Sequence, residues 1–139
     1  MKVFLSILLY LICSDCRIDE GSTEKISYNV LTFERTNYEN KDLSPVVIKD
    51  LTDYSNFYFN YYGTYTPYTD FDFSKYMMVF FFVSTTYGTE IEDVYETYDN
   101  VYVQMHSILP GQYVTTQDIK TYLIAISLKQ SNKIVKVYN

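Results

Sequence analysis

The chain has 139 residues, which is one domain's length and enough to bury a proper core. Its net charge is −6, and its lysines are scattered singly apart from Lys129, Lys133 and Lys136. That excludes the clustered basic face nucleic acid requires and makes an anionic membrane a poor partner. Aromatic residues make up 19%, from 17 Tyr and 9 Phe with no Trp, a bias that favours pleated, half-buried surfaces and hence β-structure.

The N-terminus has the form of a secretory signal. Met1 and Lys2 are a minimal positive region, residues 3–12 are an apolar run, and Ser14 and Cys16 are small residues placed for cleavage before Arg17. The run is too short for a bilayer span of about 20 residues. Residues 1–16 are therefore expected to be a removed signal peptide, residues 17–26 a flexible leader and residues 27–139 a single secreted domain, with no stable membrane insertion afterwards. Cys13 and Cys16 make a Cys-x-x-Cys, but no βαβ pattern follows and both leave with the peptide. A mature chain without cysteine depends on its core alone.

Residues 27–35 alternate and suit a strand, and residues 37–44 are a polar connection. Pro45 opens a short strand at Val46, Val47 and Ile48, a place where proline does no harm. In residues 50–62, Leu51, Tyr54, Phe57, Tyr58 and Tyr61 recur at helical intervals; Asp50 or Thr52 can cap the start and Gly63 the end. Residues 64–70, with Pro67, form a loop. The run Met77, Met78, Val79, Phe80, Phe81, Phe82, Val83 is continuously apolar and of strand length, so it reads as a central strand covered on both faces. Residues 85–89 read as a turn, and residues 90–97 as a half-exposed strand bulged near Glu92 and Asp93. A hairpin turn at residues 98–100 leads to residues 101–108, where Val101, Val103 and Met105 share one face and Gln104 and His106 the other. Pro110 and Gly111 end that strand, and residues 113–120 are irregular. Residues 122–128 form a second buried strand, and residues 133–138 close the chain after a turn at Gln130, Ser131 and Asn132. Six or seven strands with short connections and one helix predict a mainly β domain: an antiparallel β-sandwich or half-closed barrel with one short α-helix.

No spacing of catalytic or metal type occurs. His106 is the only histidine, which leaves a zinc site without ligands, and no nucleophile motif accompanies the serines. Asp70, Asp72, Glu90, Glu92, Asp93 and Glu96 lack the calcium-loop pattern and read as solvated charge. No enzyme activity, cofactor or metal is expected. Tyr58, Tyr61, Tyr62, Tyr65 and Tyr68 fall close together; those on the helix face belong to the core, whereas Tyr65 and Tyr68 in the loop offer an aromatic binding patch.

The stretch Phe71-Asp72-Phe73-Ser74-Lys75-Tyr76-Met77-Met78-Val79 resembles the V-D-F-x-K-x-M segment of the PrcB C-terminal domain family, named for a subunit of a bacterial surface subtilisin-like protease complex. Val46-Val47-Ile48 with the following helix, residues 101–110, and Thr115-Thr116-Gln117 with Thr121-Tyr122-Leu123-Ile124 resemble further family segments in the same order. The family's T-G-G-Y turn is here Thr86-Tyr87-Gly88-Thr89, with one glycine, and Thr121 replaces a proline. The resemblance implies a secreted, non-catalytic accessory domain that binds another extracellular protein, with a protease as the candidate partner, stabilised or inhibited. Its partner-binding candidates are Thr86, Tyr87, Gly88 and Thr89, with Tyr65 and Tyr68 added from the aromatic loop. The alternative expectation is a carbohydrate-binding β-domain that uses the exposed tyrosines.

Overall fold

The computed structural model describes residues 22–36, 45–64, 68–109 and 118–138. The expected signal peptide, the connection at 37–44, Tyr65, Pro67, Pro110, Gly111 and the Thr115-Thr116-Gln117 segment lie outside the described residues.

Eight strands and one helix follow in the order β1 (Glu24–Lys25), β2 (Asn29–Thr36), β3 (Val46–Ile48), α1 (Leu51–Tyr62), β4 (Tyr76–Thr85), β5 (Thr89–Glu96), β6 (Asn100–Ser107), β7 (Lys120–Lys129) and β8 (Ile134–Tyr138). They form two four-stranded sheets, β1-β5-β6-β8 and β2-β7-β4-β3. The chain is thus a β-sandwich with one short helix, and neither sheet closes into a barrel. Glu24 and Lys25, in the stretch expected as leader, pair with Glu96 and Tyr95 of β5.

The central strand is β4. Its odd residues Met77, Val79, Phe81 and Val83 join Val94, Val101, Val103, Met105, Ile124, Ile126 and Leu128 between the sheets. Its even residues Met78, Phe80 and Phe82 join Ile48, Leu123 and Ala125 beneath the helix residues Tyr54 and Phe57. Strand side chains alternate across the sheet, so a strand covered on both faces must be apolar at every position, which is why β4 and β7 lack the polar alternation of the other strands.

The helix forms where its ends are satisfied. Asp50 Oδ1 accepts from the backbone N–H groups of Thr52 (2.8 Å) and Asp53 (2.9 Å), and Gly63 takes the left-handed conformation (φ 64°) while its N–H donates to the Phe59 carbonyl. From its start beside β3, α1 crosses the second sheet diagonally. The Phe57 ring lies 4.2 Å from that of Phe80, and the Tyr61 ring 5.5 Å from that of Phe82. At the far end the Tyr61 hydroxyl bonds Thr36 Oγ1 (2.8 Å) and the Tyr62 hydroxyl donates to Glu34 (2.9 Å), both on β2. Burial and the Glu34 carboxylate raise the Tyr62 pKa; burial and Tyr54 raise that of Tyr58.

One pair departs from the antiparallel expectation: β8 runs parallel to β6, from Asn100↔Ile134 to Gln104↔Tyr138. The cause is topological. The intervening β7 belongs to the other sheet, so the chain leaves the first sheet and returns to it in the same direction. The expected bulge in β5 is present, with a register shift between Ile91 and Asp93.

The sandwich has two unlike ends. At the lower end, where β4 begins and β7 finishes, Gln130 ties three loops together. Its amide Nε2 shares its two N–H donors among the carbonyls of Lys49 (3.0 Å), Phe73 (2.8 Å) and Tyr76 (3.0 Å), and its backbone N–H donates to the Lys75 carbonyl (2.9 Å). Asp72 organises the neighbouring turn, accepting from Ser74 N–H (3.1 Å) and Lys75 Nζ (3.1 Å). The Ser74 bonds, then Lys75, hold the Asp72 carboxyl below the usual carboxylate range. Asp72 therefore serves a turn.

Candidate functional site

The upper end contains the corner expected to bind a partner. Its strands β4 and β5 belong to different sheets, so the turn expected at residues 85–89 carries the chain across the sandwich. Thr85, nearly buried at the end of β4, donates from Oγ1 to the Gly88 carbonyl (2.9 Å) and accepts from the Gly88 N–H (3.3 Å). The same carbonyl accepts from Ile108 N–H (3.1 Å), and Thr89 Oγ1 donates to the His106 carbonyl (3.2 Å). Gly88 has φ 138°, a conformation L side chains rarely adopt, and a Cβ there would lie 3.3 Å from Ile108 Cδ1. A single glycine thus suffices for this corner, where the resembled family pattern has two.

Four large apolar side chains are left exposed at this end. Tyr87 is 39% exposed, Ile108 45%, Leu109 81% and Ile119 73%. Gly88 fixes Tyr87 beside Ile108, and the Thr85↔Lys120 register brings Ile119 to the same edge. The sequence reading found Tyr87 but missed Ile108, Leu109 and Ile119. The available signal was an apolar pair running past the alternating part of β6 into Pro110. Of the other corner residues, Thr86 is half-buried and Thr89 is buried, so both support the corner and Tyr87 presents the surface.

The helix members of the tyrosine group are taken up in packing, as expected. Tyr58, Tyr61 and Tyr62 pack in the helix network, with Tyr58 stacked on Tyr62 (5.1 Å) and Tyr61 on Phe57 (5.6 Å). Tyr68 is 93% exposed. It lies three residues before Phe71, whose ring contacts Tyr76 at the lower end (6.4 Å). Three residues of chain reach about 10 Å, whereas β4 rises about 30 Å to the corner. Tyr68 is therefore not part of the corner, and Tyr65 lies outside the described residues.

Two hollows remain. A cleft of about 1020 Å³ at the lower end is lined by Lys25, Lys75, Lys129 and Lys133 among others. Three of these lysines are paired: Lys25 with Asp93 (2.8 Å), Lys75 with Asp72 (3.1 Å) and Lys133 with Glu96 (2.9 Å). Its positive charge is largely neutralised. The second hollow is a groove of about 330 Å³ between α1 and β3, lined by Val46, Val47, Ile48, Asp53, Asn56, Phe57, Asn60, Tyr61 and Phe82.

Among the described residues no group of three or more His, Cys, Asp or Glu side chains is placed to hold a metal, and no helix is long and apolar enough to cross a membrane. His106 is exposed on the outer face of β6, opposite Glu90. At the corner the Thr85 and Thr89 hydroxyls are engaged with backbone groups. No family model, curated protein or solved structure matches the chain.

Proposed function

We propose that the chain is a secreted, non-catalytic interaction domain that binds another extracellular protein through the Gly88 corner. The observation that carries this reading is the pairing of a hydrogen-bonded, conformationally fixed corner with exposed Tyr87, Ile108, Leu109 and Ile119. A rigid apolar cluster loses little entropy on binding and supplies the dry centre around which protein interfaces form. The motif around Asp72 and Lys75, similar to that of the PrcB C-terminal family, favours a protease as the partner, held as a stabilised enzyme or an inhibited one.

The test is capture from native extracellular fluid with the tagged chain, identification of the retained protein, and reconstitution from the two purified components. Wild type is expected to form a defined complex, and Leu109→Asp with Ile119→Asp to abolish it while the thermal midpoint is kept. A complex that survives both changes would place the interface elsewhere. Absence of any reconstituted complex, with glycan-array binding in its place, would transfer the domain to the carbohydrate reading. N-terminal sequencing of the exported protein is expected to start at Arg17; an uncleaved start would remove the secretory part of the proposal.

A further inference from the structure

We propose that the groove between α1 and β3 is a second recognition site, which receives one arginine or lysine side chain presented by an extended segment of a partner protein. The diagonal path of the helix creates this groove. With its far end over β2, α1 leaves a wedge open between its flank and the edge strand β3. The upper part of the wedge is apolar, with Phe57 and Phe82 at its base, Val46 40% exposed at the rim, and Tyr61 alongside. The helix wall is polar. Asp53, Asn56 and Asn60 recur at three- and four-residue spacing, so they share one face along about 10 Å of helix.

The chemistry of this lining is specific. Among the described residues that line it, Asp53 is the one charged group, in a chain of net charge −6. The nearest cation in sequence, Lys49, turns its ammonium to Asn132 at 3.1 Å. An apolar trough beside a row of two carboxamides that ends in a carboxylate complements a side chain with an apolar stem and a charged head that only donates hydrogen bonds. Arginine fits better than lysine, because its five donors can engage the Asp53 carboxylate together with the Asn56 carboxamide oxygen one turn along, and its plane packs against Phe57. At about 330 Å³ the groove is at the small end of ligand pockets and suits one side chain. No strand among the described residues pairs with the outer edge of β3, so an extended segment can lie there by strand addition. The partial positive charge of the helix's first turn opposes a cation, so Asp53 must supply the electrostatic gain.

The test is titration of the full chain with the acetylated, amidated peptide Val-Thr-Arg-Thr-Val, followed by amide shifts in NMR, beside versions with citrulline or glutamate at the centre. Shifts at Asp53, Asn56, Phe57 and Asn60 are expected with the arginine peptide. Citrulline is expected to weaken binding about tenfold or more, as loss of a charge-assisted contact does. Asp53→Asn, which keeps an oxygen for the Lys49 N–H at 3.3 Å, is expected to weaken the arginine peptide equally and leave the citrulline peptide unchanged. Equal affinity of arginine and citrulline peptides, insensitivity to Asp53→Asn, or no shift at any attainable concentration would overturn the proposal. The corner reading stands apart from these outcomes, since Leu109→Asp is expected to leave the titration untouched.

Discussion

The two ends of the sandwich are fastened differently. At the lower end, Gln130 donates to the carbonyls of Lys49, Phe73 and Tyr76, and Lys25, Lys75 and Lys133 are paired with carboxylates. At the upper end, Thr85 and Ile108 fasten the backbone of Gly88, yet Tyr87, Leu109 and Ile119 remain in solvent. Satisfied polar groups gain nothing further from a partner, whereas exposed apolar area gains on being covered. Exposed apolar side chains stand at the lower end too, Tyr68, Tyr98 and Ile134 among them, so the upper end differs in having its apolar residues grouped around a corner that its own hydrogen bonds hold in place.

The comparison depends on a shared core, which Phe81→Ala would break. This side chain is fully buried between the sheets, and its truncation is expected to cost about 3–5 kcal/mol in denaturant unfolding, with both ends losing structure in one transition. Separate transitions for the two ends would mean the sheets are not one cooperative unit.

A change confined to the lower end should affect stability alone. Gln130→Ala leaves three carbonyls without their donor, at a cost of about 1–3 kcal/mol, and is expected to leave partner capture at the corner intact. Loss of capture in a folded Gln130→Ala protein would couple the ends and dissolve the contrast drawn here.

Gly88→Ala should do the reverse. It forces an alanine to φ 138° and against Ile108, a strain of about 1–2 kcal/mol, while the displaced Tyr87 and Ile108 should lower complex formation far more than stability predicts. Binding retained in proportion to stability would show that corner geometry is not what the partner reads.

Titration sharpens the contrast by the smallest margin. Tyr58 and Tyr62, under and beside the far half of the helix, have raised pKa values, so the folded state holds their protons more firmly than the unfolded chain does. Their stabilisation is complete below the ordinary tyrosine value of about 10 and is lost as pH rises beyond it. Asp72 at the lower end has a lowered pKa, so its contribution is present above the ordinary carboxylate value of about 4 and is lost as pH falls through the folded value. Hydrogen exchange is expected to show alkali loosening the helix–β2 contact first and mild acid the residue 72–76 turn, the latter weakly because Asp72 is solvent-exposed and screened. The same order of loosening at both extremes would refute this assignment.

Local features were legible wherever one stretch of chain contains its own physical reason. Asp50 and Gly63 bracket α1 because a carboxylate and a glycine satisfy helix ends regardless of what packs around them. The unbroken apolar run of β4 declared two covered faces, and the parity slip in β5 announced its bulge. Features that depend on distant partners were not legible. Gln130 reads as a turn residue, and only folding places its amide within reach of two segments far away in sequence, at Lys49 and at Phe73 to Tyr76. Ile108 and Leu109 read as the fading end of a strand until Gly88 is set beside them.

What the sequence by itself determined is the periodicity, capping and composition of each element, and with them a mainly β domain built on β4 with one helix over it. Side-chain alternation and backbone satisfaction are properties of a few consecutive residues. Only the tertiary structure decided that β8 runs parallel to β6, that the Gly88 corner joins two sheets, that Tyr68 stands apart from it, and that a wedge opens beside Asp53. Those outcomes follow from which sheet each strand enters and at what angle the helix crosses. They are settled by the summed burial of both apolar faces of β4 and β7, which no single stretch of the chain contains.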